Sequence, residues 1–101
     1  MFYQLVVPGP IEDVVEVRVL EWHGVPGRAF AAGALVVELE THKAVVEVRT
    51  DCAAVLRRVF TEAGGWEKIG SPLALLSDNP DEPEPAAVTG LPTLPVEFDI
   101  S

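Results

Sequence analysis

The sequence predicts an all-β protein, a sandwich or flattened barrel made of two similar halves. Three observations carry this reading. Short runs alternate apolar and polar residues with a period of two. Glycine and proline punctuate these runs, and no credible amphipathic helix lies between them. A pair of glycines, Gly27 and Gly33, recurs 37 residues downstream as Gly64 and Gly70.

The elements follow in order. Phe2 to Val7 is rich in β-forming residues and is closed by Pro8-Gly9-Pro10. Val15, Val17 and Val19 alternate with Glu16, Arg18 and Leu20, the pattern of a half-buried strand. Leu35 to Leu39 and Val45 to Val48 repeat that texture, and Val55 to Phe60 and Leu73 to Leu76 complete the set. Asp51 to Phe60 is the best helix candidate, but Val55, Val59 and Phe60 favour extension.

The repeat extends beyond the glycines. At the same offset Val19 matches Leu56, Val36 matches Leu73, and Leu39 matches Leu76. Glycine in this setting marks turns with positive φ. Two copies of strand, glycine loop and strand imply halves packed about a pseudo-twofold axis. Under that symmetry the hairpin Glu40-Thr41-His42-Lys43-Ala44 corresponds to the chain's exit after Leu76. The hairpin should therefore lie at the end opposite the termini.

Charge divides the chain in two. The net charge is −9, from 7 basic and 16 acidic residues. Asp78, Asp81, Glu82, Glu84, Glu97 and Asp99 all fall in the last 24 residues, which hold no Lys or Arg. Without those six, ten acids face seven bases, a body at −3. Residues 1–78 read as the folded domain and residues 79–101 as an acidic, Pro-rich tail or linker. Pro80, Pro83, Pro85, Pro92 and Pro95 prevent a helix or a central strand there. The tail is expected to be extended and mobile over 80–101. Val96-Glu97-Phe98-Asp99-Ile100 alternates apolar and acidic residues, so it could still add to a sheet edge or to a partner.

Composition narrows the function. An acidic chain repels nucleic acid and anionic lipid, so neither is an expected partner. No run of about 20 apolar residues suggests a membrane span, and no basic stretch precedes an apolar one at the start, as a secretory signal would require. A single cysteine, Cys52, excludes an internal disulfide framework and a cysteine-rich zinc site. The default compartment is the reducing cytoplasm. Cys52 reads as a small core group and His23 as a loop or edge residue. Trp22 and Trp66 read as packing, and Gly64-Gly65-Trp66 lacks the lysine and helix start of a phosphate cradle. No paired acid and base or nucleophile and base stands out. Of the two lysines, Lys43 sits on a tight hairpin between two strands, and Lys68 in the loop–strand region of the second half.

The run Val36-Val37-Glu38-Leu39-Glu40-Thr41-His42-Lys43-Ala44-Val45-Val46-Glu47-Val48 resembles the attachment hairpin of the biotinyl/lipoyl domain family, lipoyl type. Both glycine pairs fall where that family's loops fall, and the resemblance covers residues 2–77. It implies two four-stranded antiparallel sheets with pseudo-twofold symmetry. It also implies a non-catalytic carrier whose Lys43 is amidated by lipoic acid, flanked by Glu40, Thr41, His42 and Ala44. His42 replaces the usual Asp of the motif. Arg28 and Gly65 stand where Asp commonly follows each loop's first glycine, and Ala54 where glycine is usual.

What the resemblance implies about function is a swinging arm. It would pass acyl groups and reducing equivalents within a 2-oxoacid dehydrogenase-type complex. The implied partners are a lipoate ligase or lipoyl transferase, a thiamine-dependent oxoacid decarboxylase, a dihydrolipoyl acyltransferase and a dihydrolipoyl dehydrogenase. Glu38, Glu40 and Glu47 would be recognition charges or simply a solvated strand face. The alternatives are an unmodified β-sandwich interaction module and a biotin carrier. Biotin carriers place methionine on both sides of the lysine, where this chain has His42 and Ala44.

Overall fold

In the computed structural model, which describes residues 1–101, nine strands form two antiparallel sheets and no helix. They are β1 (Phe2–Val6), β2 (Glu16–Trp22), β3 (Ala29–Phe30), β4 (Leu35–Glu40), β5 (Val45–Thr50), β6 (Ala54–Val59), β7 (Trp66–Lys68), β8 (Pro72–Ser77) and β9 (Val96–Ile100). One sheet has the order β1-β8-β6-β3, the other β7-β2-β4-β5-β9. No helix is long and apolar enough to cross a membrane.

The alternation read from the sequence places the core. Val17 and Val19 of β2, Leu39 of β4, Val46 and Val48 of β5 and Leu56 of β6 all turn inward and are fully buried. β8 is buried along almost its whole length, Leu73 to Ser77, because it is central in its sheet. β3 and β7 had no sequence signal. At two and three residues they are too short to show a period, and pairing with β6 and β2 alone defines them.

The pseudo-twofold axis is visible in the backbone. The Gly27 amide donates to Leu56 O at 2.7 Å, and the Gly64 amide donates to Val19 O at 2.7 Å. Leu56 N donates to Arg28 O, and Val19 N to Gly65 O. Each half thus closes its glycine loop on a strand of the other half. Gly27 and Gly64 hold φ near +101° and +95°, which side chains rarely adopt.

The segment expected to be mobile is instead a strap. Arg57, stacked 5.0 Å over the Phe2 ring, donates to Ser77 Oγ, Asn79 O and Glu82 O. Arg58 pairs with Glu84 at 3.1 Å. The chain then runs along the free edge of β1. Gln4 donates to Leu91 O and Pro92 O, and Leu94 donates back to Gln4 O. Leu94 enters the core at 1% exposure. Finally β9 pairs with β5, from Thr50↔Val96 to Val46↔Ile100, and gives the second sheet its fifth strand.

Proline does not prevent this because it lacks a donor but keeps its acceptor. Pro92 O and Pro95 O accept from Gln4 and Asp51. β9 occupies an edge, the position that alternation allowed. The hairpin after β4 lies at the far end from Phe2 and Ser77. β5 leads away from it to Thr50, and the next strand meets Ser77 at Val55. The strap corrects the rest of that expectation: Ser101 returns to the hairpin and exchanges hydrogen bonds with Val45.

Candidate functional site

β4 and β5 pair down to Glu40↔Val45, leaving four residues to turn the chain. Thr41 N donates to Ala44 O at 2.8 Å. Thr41 Oγ1 accepts from Lys43 N at 3.2 Å and Ala44 N at 3.0 Å. A threonine hydroxyl that satisfies amides two and three residues on is the local bond that fixes a turn of this kind. Thr41 is 6% exposed, whereas His42 and Lys43 stand in solvent. The tip is therefore a rigid base carrying two outward side chains.

The Lys43 side chain is half exposed, and its Nζ lies 3.9 Å from Asp13 Oδ2. Asp13 sits on the loop between β1 and β2 with φ 61°, a left-handed conformation that Asp tolerates better than most residues. Sequence reasoning missed Asp13. Its one signal is an Asp before a strand in a proline-flanked loop, and nothing in that pattern points to a lysine thirty residues away.

The three glutamates flanking the hairpin, Glu38, Glu40 and Glu47, have internal partners. Glu40 pairs with Arg18 at 3.3 Å, Glu38 with His23 at 2.7 Å, and Glu47 with Arg49 at 3.6 Å. Glu21, Glu38, Glu47 and Asp99 stand opposite one another across four strands, so this outer face is acidic. Glu21, His23 and Glu38 bring donor atoms within 4.8 Å of one another.

The remaining sequence candidates lie elsewhere. Lys68 is on the short edge strand β7, opposite Glu16. Cys52 is free, half-buried and packed against the core. Trp22 is half-buried with its indole N–H on Thr61 O. Trp66, expected to pack, is 55% exposed, because β7 is an edge strand. A cleft of about 570 Å³ between Leu20, Trp22, Pro26 and Arg57 includes no hairpin residue.

Chemically, the hairpin offers one half-exposed primary amine, in contact with Asp13 and open to solvent on its other side. A solvent-accessible lysine on a Thr-locked tip could hold a covalently attached acyl cofactor.

The family model described as "Biotin-requiring enzyme", the biotin/lipoyl model, matches residues 3–76. The chain is 28% identical over 86 residues, 85% of its length, to the dihydrolipoyllysine-residue succinyltransferase component of the 2-oxoglutarate dehydrogenase complex of Bacillus subtilis. It is 32% identical over 72 residues, 71% of its length, to the same component of Staphylococcus saprophyticus. With that of Cupriavidus necator it shares 38% over 58 residues, 57% of its length. It spans about a fifth or less of each of these relatives: 21%, 17% and 14% of their lengths. With two antiparallel sheets of four and five strands, a lysine-bearing hairpin between two strands and a match across both halves, the chain belongs to the biotinyl/lipoyl domain family.

Proposed function

We propose that this chain is a lipoyl carrier domain, with lipoate in amide linkage to Lys43 Nζ, serving a 2-oxoacid dehydrogenase-type complex. The observation that carries the reading is Lys43 itself. It is the exposed amine on the Thr41-locked turn inside the matched region, and the relatives named above are dihydrolipoyllysine acyltransferase components. Lipoate rather than biotin is supported by the flanking His42 and Ala44.

Bound lipoate supplies a dithiolane that takes up an acyl group and two electrons. The chain's own residues do the rest. Thr41 fixes the turn, so the arm starts from a defined point. Pairing of β4 with β5 and of β5 with β9 keeps that point rigid. Amidation removes the Lys43 charge and leaves Asp13 as an unpaired carboxylate at the base of the arm. Tethering raises the effective concentration of the carried group at successive active sites. No residue of the domain performs the transfer chemistry. In this reading the partners are a lipoate ligase or lipoyl transferase, a thiamine-dependent oxoacid decarboxylase, an acyltransferase and a dihydrolipoyl dehydrogenase, meeting the domain in the cytoplasm.

Intact mass after co-expression with a lipoate ligase tests this. The lipoyl increment should appear once, vanish in Lys43→Arg and persist in Lys68→Arg. A biotinyl increment at Lys43, or a lipoyl increment that survives Lys43→Arg, would overturn it.

A further inference from the structure

A second cleft, of about 380 Å³, opens on the flank closed by the strap, and none of the chemistry above uses it. Its walls are Val6, Val7 and Pro8 at the end of β1, Ile69 in the turn before β8, and Val96 and Phe98 of β9. No charged side chain lines it, in a chain that is 23% charged. The volume is within the range of small-ligand clefts, and the lining selects an apolar occupant.

Two of those walls lead to Lys43. The loop that supplies Pro8 continues to Asp13, whose carboxylate already lies 3.9 Å from Lys43 Nζ. β9 ends by exchanging backbone hydrogen bonds between Ser101 and Val45, two residues past Lys43. Phe98 pairs with Val48, five residues past Lys43, so at the usual rise per residue it stands at most about 16 Å along β5 from the Lys43 backbone. An extended lipoyl-lysine chain has eleven bonds from Cα to the ring and reaches about 14 Å at ~1.25 Å of advance per bond. The ring adds about 3 Å beyond that point, so a fully extended arm can bring it to Phe98 at the edge of the cleft.

We propose that this cleft is the resting seat of the dithiolane carried on Lys43, an inference that rests on the attachment proposed above. The ring is apolar, and its sulfurs gain from contact with an aromatic edge such as Phe98. Water-exposed, the ring makes no such contact. The seat depends on β9, which lies outside the matched residues 3–76. The seat is open at its mouth, so the arm exchanges between the cleft and solvent.

Solution NMR of the lipoylated and unmodified protein tests the seat. In the lipoylated protein, dithiolane ring protons should show NOEs to the Phe98 ring and the Ile69 methyls, with shift changes at Val96. Thr93→Phe narrows the mouth, since Thr93 lines the cleft, its side chain is exposed and its tie to Gln4 is a backbone bridge. That variant should lose the NOEs and show a more mobile Lys43 Nζ amide. If mass spectrometry shows full lipoylation at Lys43 and shift changes stay within His42 to Ala44, the seat is wrong and the attachment stands. NOEs that persist unchanged in Thr93→Phe also overturn the seat. A Lys43 that takes no lipoate overturns both.

Discussion

Leu94 donates its amide to the carbonyl of Gln4 at 2.9 Å while its side chain, at 1% exposure, fills a core otherwise drawn from residues 5–76. The strap is thereby part of the folded unit. Leu94→Ala should cost about 2–5 kcal/mol, the range for a buried leucine that leaves a cavity. In a domain of this size that lowers Tm by roughly 10 °C or more. Removing residues 84–101 should cost at least as much. Calorimetry that finds either variant within a degree or two of the parent would return the segment to a mobile tail.

The turn should depend on one hydroxyl. Thr41→Val keeps the β-branched shape and removes the acceptor for the Lys43 and Ala44 amides. The expected loss is about 1–2 kcal/mol, the cost of leaving inward amides poorly satisfied. Thr41→Ser should recover most of it. Hydrogen exchange at Ala44 reads the effect directly, and the lipoylation rate should fall in Val and return in Ser. Equal protection in all three proteins would show that backbone pairing alone fixes the turn.

Asp13 gives the lysine a carboxylate neighbour that His42 does not. Asp13→Asn keeps a residue suited to φ 61° and removes the charge, so the fold should be unchanged. Losing that contact frees the Lys43 side chain from its ionic partner, and lipoylation should quicken. His42→Asp adds a charge and should slow it. Both changes should be within tenfold, because an exposed pair contributes about 1 kcal/mol or less. Single-turnover rates at fixed pH decide the signs. Rates that move in the opposite directions would mean that the ligase reads Asp13 and His42 themselves.

Symmetry-related glycines should fail alike. An added Cβ meets nothing within 4 Å at Gly27 and only Arg18 Nη2 at 4.0 Å at Gly64. The cost of alanine is therefore conformational, about 1–3 kcal/mol at each site. Urea midpoints of Gly27→Ala and Gly64→Ala should fall together. A neutral substitution at one site would break the equivalence of the two loops.

The strands legible in the sequence were those whose own period revealed a buried face: Val17 and Val19, Val46 and Val48, Leu73 to Leu76. The axis was legible because positive φ leaves glycine as its trace. The hairpin and Lys43 were legible from the motif between two clear strands. Pairings defined by a partner far along the chain were not. β3 and β7 exist only against β6 and β2, and Asp13 reaches Lys43 only through the fold. Five prolines in residues 79–101 suggested a free segment because proline's missing donor is obvious and its remaining acceptor is not.

The crossed glycine loops also govern how the chain can fold. Gly27 closes on Leu56, Gly64 on Val19, and Leu94 on Gln4, so closures span 29, 45 and 90 residues. Neither half can satisfy its own loop. Residues 1–40 and 41–101, made separately, would each present unpaired strand edges and an open apolar face. Structure should arrive in one concerted step once distant strands meet, on the millisecond-to-second scale of non-local β folds. A rigid pedestal for Lys43 is then available only after the whole chain has been assembled.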